Sequence, residues 1–157
     1  MELDGASIKL YVRQAFGGME RVLDRLDDGS VNERPGDWGT NSVAGLVVHC
    51  CELAPSWFEM PGLGRESHRD RDTEFSTRAT VAELRERIAV AVERTCAAVD
   101  EFVTGPTATG HPFRDFLPGA DRSDGALVLH VLEELFQHLG HMEVTADAVV
   151  GSGAALA

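Results

Sequence analysis

A chain of 157 residues suffices for one domain with a single core, and a hydrophobic fraction of 43% is that of a globular protein. A net charge of −12 argues against a surface built to neutralise phosphate backbones, and no apolar run approaches the ~20 residues that cross a bilayer. Three cysteines, Cys50, Cys51 and Cys96, with no CxxC pair, argue against a disulfide framework or a cysteine-rich zinc site.

The N-terminus lacks a basic start followed by an apolar h-region, so a cytoplasmic protein is expected. Residues 1–150 read as one domain and 151–157 as a short flexible tail of small residues. Residues 3–28 predict the first helix, with Val12, Phe16, Met19, Val22 and Leu23 among apolar positions at three- and four-residue steps. Gly17-Gly18 is a weak point within it, and "DDGSVNERPGDWGTN" ends it. A second helix is predicted from Thr40 or Asn41, either of which can cap it, to about Met60, with Pro55 as a kink or early stop.

Residues 61–79 form a long charged connection. The third helix, 80–103, opens on a Thr80/Glu83 capping box and lines Leu84, Ile88, Ala91, Val92, Thr95 and Val99 along one face. An irregular connection follows, with a short turn at Phe113–Phe116, and the fourth helix spans 123–149. No segment alternates with period two. The expectation is all-α: a four-helix bundle with long connections. An exposed apolar helix face would let two copies pair as a homodimer.

The fourth helix contains "HVLEELFQHLGH", residues 130–141. At ~100° per residue, with His130 at 0°, Glu134 falls near ~40°, His138 near ~80° and His141 near ~20°. Val131, Leu135, Leu139 and Met142 centre the core face on ~140°. His138 is thus nearest the core, Glu134 next, and His130 and His141 on the polar flank. Glu134 and His138, one turn apart, suit two ligands on one ion. On the second helix His49 shares an inward stripe with Leu46, Leu53, Trp57 and Met60, and offers a third. No HExxH motif, GxSxG elbow, phosphate loop or paired Glu-x-x-His set is present.

The chain resembles the DinB-like superfamily of metal-binding four-helix bundles. Within it, the chain is similar to the actinobacterial branch of mycothiol-dependent S-transferases and maleylpyruvate isomerases. The resemblance spans nearly the whole chain and rests on "ERPGDWGTNSVAGLVVHC", "RESHRDRDTEF" and "EELFQHLGHMEVTAD". It implies one divalent metal, zinc or nickel, held by His49, Glu134 and His138. It further implies a thiol S-transferase in which mycothiol, as a metal-bound thiolate, attacks a small electrophile. His141, His130 and Glu133 are candidates to orient the ligands. Arg69 and Arg71 are candidates to bind a carboxylate or sugar hydroxyls. The same ligands would serve a non-catalytic metal- or small-molecule-binding bundle, or a hydrolase using metal-bound water.

Overall fold

Asp4 starts the first helix: its carboxylate accepts from the Ser7 amide at 2.7 Å, and α1 runs Gly5–Leu23. The computed structural model describes residues 4–36, 40–66 and 69–154. Residues 37–39 and 67–68 of the quoted motifs, and 155–157 of the expected tail, lie outside the described residues.

α1 stops short of the predicted residue 28. The Asp27 carboxylate accepts from the Gly29 and Ser30 amides, which draws the chain into a tight turn, and a 3₁₀ turn follows at Ser30–Asn32. α2 is Val43–Trp57. Its cap is Ser42, whose hydroxyl accepts from the Gly45 amide at 3.1 Å, and not Thr40 or Asn41. Pro55 stays inside α2 without ending it. The helix then widens into a π-turn at Phe58–Gly62, where Leu63 N reaches back to Phe58 O at 2.9 Å. Prolines at 55 and 61 remove two donors from the ordinary ladder, which favours that wider path.

α3 is a single turn, Arg71–Glu74, capped by Asp70. α4, Val81–Thr104, carries both halves of the Thr80/Glu83 capping box. A 3₁₀ segment at Pro112–Phe116 occupies the expected turn. α5, Asp124–Ala154, outruns its predicted end, so residues 151–154 of the expected tail are helical. Among the described residues there is no strand, and no helix is long and apolar enough to cross a membrane.

α1 and α2 each pack against both α4 and α5, which sets α1 diagonal to α2. Ion pairs Lys9–Asp100 and Asp24–Arg85 run α1 antiparallel to α4. Tyr11 on Phe136 and Arg25 with Asp147 run α1 parallel to α5. Trp57 on His130 and His49 on His138 run α2 antiparallel to α5. The order is therefore up, down, down, up, and α2 lies parallel to its neighbour α4. Parallel neighbours need a return along the bundle, so the connection between them is long for a geometric reason. Gly18, half of the predicted weak point, is a packing feature: a Cβ there would lie 2.5 Å from Leu139 Cδ2, so its absence lets α1 approach α5.

The connection between α4 and α5 is held by Arg114, whose side chain is fully buried. Its Nε donates to Pro61 O at 2.8 Å, its Nη1 to Arg122 O at 2.7 Å, and its Nη2 pairs with Asp124 Oδ1 at 2.8 Å. Arg114→Met would strip one buried and one part-buried carbonyl of their donor and remove the partner of the half-exposed Asp124, and should destabilise the fold by about 1–3 kcal/mol. Chemical denaturation measures this; a midpoint within error of the parent would refute the anchoring role.

Candidate metal centre

His49 sits in the middle of α2 and is 3% exposed. One turn earlier, Gly45 lets the main chain of Phe75 come close: a Cβ at 45 would meet Phe75 Cα and O at 3.1 Å. That approach stacks the Phe75 ring on His49, with centroids 4.6 Å apart, and brings Glu74 beside it. Glu74 Oε2 is 2.7 Å from His49 Nδ1. Arg69 grips the same carboxylate with two hydrogen bonds, Nε to Oε1 at 2.6 Å and Nη2 to Oε2 at 2.9 Å. With its Nδ1 proton given to Glu74, the imidazole keeps a lone pair on Nε2.

α5 supplies the facing side. Glu134 Oε2 is 3.3 Å from His138 Nε2, and Oε1 is 4.0 Å from His130 Nε2. The His49 and His138 rings meet edge to face with centroids 4.6 Å apart. One ring nitrogen from each of these histidines and one Glu134 oxygen lie within 4.8 Å of one another. His138 Nδ1 is buried and has no hydrogen-bond partner among the described residues. One carboxylate and two imidazoles, so spaced, suit a divalent ion bonded at ~2.0–2.2 Å.

The charge states agree with that use. Burial, the largest influence on His49, holds its pKa below the ordinary 6.5 despite the bond to Glu74. Burial alone would raise Glu74, but the hydrogen bonds from Arg69 and His49, with their charges, hold it below the ordinary 4.5. The His138 hydrogen bond, outweighing burial, lowers Glu134 as well. The site therefore offers neutral His49 and ionised carboxylates at neutral pH. Burial pushes the thiol of Cys51 up to about 12 and that of Cys50 well above its usual range, so neither is a thiolate.

The remaining predicted residues are distributed unevenly. His130 is not on an open flank: its side chain is 14% exposed against 18% for His138, because Trp57 packs edge-on against it at 4.6 Å. With Glu133 and Glu134 it forms a second cluster of metal-capable groups, although Glu133 is largely exposed. His141 is exposed, its ring centroid 6.4 Å from that of His138. The orienting part expected of the histidines is filled, for His49, by Glu74. Arg69 is engaged with Glu74, while Arg71 stands exposed at the edge of a cavity of about 530 Å³. That cavity opens beside His49, His130 and Glu134 and is walled by Leu53, Trp57, Met60, Phe113 and Phe116.

Sequence reasoning did not find Glu74 or Arg114. Both lie in irregular connections, that of Glu74 charge-rich, which look like solvated chain. The one local signal for Glu74 is its place on a turn that Asp70 caps, just before an aromatic residue.

A family model described as Mycothiol-S-transferase matches residues 7–151 of the chain. No curated protein and no solved structure matches it.

The lowered pKa values make the metal-free protein acid-sensitive. In each case the unfolded chain binds protons more readily than the folded one. The contribution of His49 is complete above about pH 7 and is lost as pH falls through and below 6.5; those of Glu74 and Glu134 are lost below 4.5. The denaturation midpoint of the metal-free protein should fall on acidification from about pH 7 to pH 4, and the His49→Gln variant should lose the upper part of that slope. A midpoint flat across that range would contradict the assignment.

Proposed function

The chain belongs to the mycothiol S-transferase family, a branch of the DinB-like superfamily, and from that premise we propose that it transfers a low-molecular-weight thiol, mycothiol, to a small electrophile. The reading assigns His49, Glu134 and His138 as ligands of one divalent ion, zinc or nickel. The observation that carries it is the convergence of these three donors from α2 and α5, two of which, His49 and Glu134, line the cavity. A divalent ion bound there supplies the charge that lowers the pKa of a neighbouring thiol.

The chain's own residues do the rest. Glu74 holds the His49 ring and its tautomer, and Arg69 holds Glu74. Glu134 brings one negative charge, so the three ligands and a dication carry about +1, which favours an added anion. Since neither Cys50 nor Cys51 is a thiolate, the nucleophilic sulfur comes from a bound molecule rather than from those two. Arg71, at the edge, presents a guanidinium to an anionic or hydroxyl-bearing part of either reactant. Three free, buried thiols suit the reducing cytoplasm where we place the protein.

Metal content of the purified protein and of four alanine variants tests the ligand set. The parent and His141→Ala should retain one equivalent of metal; His49→Ala, Glu134→Ala and His138→Ala should lose it. Full retention in the last three sinks the site. The same preparations are assayed with 1-chloro-2,4-dinitrobenzene, with and without mycothiol. Turnover that requires the thiol supports transfer, turnover indifferent to it points to a hydrolase, and none points to a binding protein.

Glu74→Gln keeps the shape of the side chain but removes its charge. It should weaken zinc binding by about 10–100-fold in competition with a chromophoric chelator. Unchanged affinity would show that Glu74 does not orient His49 for the metal.

A further inference from the structure

Two phenylalanines are held where water alone would not put them. Phe113 is 43% exposed and Phe116 75% exposed, with ring centroids 5.7 Å apart. They lie on the 3₁₀ segment Pro112–Phe116, where residues three apart share a face. Arg114, between them, turns the other way and is fully buried in bonds to Pro61 O, Arg122 O and Asp124. The segment is thus pinned by its middle residue, and its aromatic face is fixed over the cavity instead of collapsing onto the core.

The same cavity is lined by Leu53 and Trp57, which continue the line begun by His49 on successive turns of α2, and by Met60 of the π-turn that follows. The space between these walls is about 530 Å³, within the range that holds small organic molecules. Its polar lining is His49, Ser56, Arg69, Arg71, His130 and Glu134; the rest, Leu53, Trp57, Met60, Phe113 and Phe116, is aromatic and apolar. A thiol bearing sugar hydroxyls can meet the polar residues, but would strand any hydroxyl laid against these five apolar side chains. The apolar space therefore suits the other reactant.

Resting on the transferase reading above, we propose that this cavity is the electrophile's site and that Phe113 and Phe116, which line it together with Trp57, select flat, apolar, aromatic electrophiles over small polar ones. With an aryl chloride, sulfur forms a C–S bond at the ring carbon, the C–Cl bond breaks, chloride leaves with the bonding pair, and the thiol proton passes to water.

Phe116→Ser is the decisive variant, because so exposed a side chain contributes little to folding. The first readout is binding, independent of turnover: quenching of Trp57 fluorescence by unreactive 2,4-dinitrotoluene, with Trp57→Phe assigning the signal. Saturable quenching that Phe116→Ser weakens about tenfold is expected. The second is selectivity: the ratio of kcat/KM for 1-chloro-2,4-dinitrobenzene to that for iodoacetamide should fall about tenfold in Phe116→Ser. Binding that ignores the substitution, or an unchanged ratio, overturns the assignment. Saturable, Phe116-dependent binding in a protein that transfers no thiol upholds the aromatic site and fails the transferase reading alone.

Discussion

The site depends on one buried hydrogen bond, the 2.7 Å contact between His49 Nδ1 and Glu74 Oε2. A carboxylate whose side chain is 2% exposed is costly to leave uncompensated. Here the imidazole and the Arg69 fork together satisfy both of its oxygens. Because Arg69 precedes α3 and Glu74 ends it, the same bonds that set the His49 tautomer also fix the path of the connection between α2 and α4. Orientation of the ligand and order of the loop are one energetic event. Gly45 makes it sterically possible, since any side chain there would push Phe75 and hence Glu74 away from the helix.

The topology explains why this connection passes the site. α2 and α4 are parallel neighbours, so the chain leaving the Phe58–Gly62 π-turn must travel back along the bundle before α4 begins. A short antiparallel hairpin in the same place would have carried no residue past His49. The candidate centre therefore draws its proposed ligands from two helices, and the support of one of them, His49, from a crossover. Its local electrostatics differ from those of the acidic exterior: Arg69 neutralises Glu74, and Glu134 lies between His130 and His138.

What was legible in the sequence was what a helix repeats locally. The spacing of Glu134 and His138, the inward stripe of His49, the capping box at Thr80 and the face from Leu84 to Val99 all follow from ~100° per residue and a few capping rules. The end of α1 was missed because the Asp27 side chain competes with the helix for backbone donors. The burial of His130 was missed because angular position on α5 says nothing of Trp57 on α2. Glu74 and Arg114 were missed for a related reason: each sits in an irregular segment, and its burial depends on partners outside that segment, His49 for Glu74 and Pro61 for Arg114.

Those two residues point to a shared device. Helices are placed by their apolar faces, but an irregular connection has no repeating apolar face and needs another anchor. In both long connections an arginine supplies it. Arg69 takes a carboxylate; Arg114 takes two carbonyls and a carboxylate. The planar guanidinium serves several acceptors in fixed directions from one side chain, which a lysine ammonium does not. Lys9, the single lysine, is spent instead on an ion pair with the exposed Asp100. One anchored connection presents Glu74 to a candidate ligand, the other presents Phe113 and Phe116 to the cavity. The bundle supplies rigid walls, and the chemistry of its inner end and the selectivity proposed for its mouth are set by loops that arginines hold still.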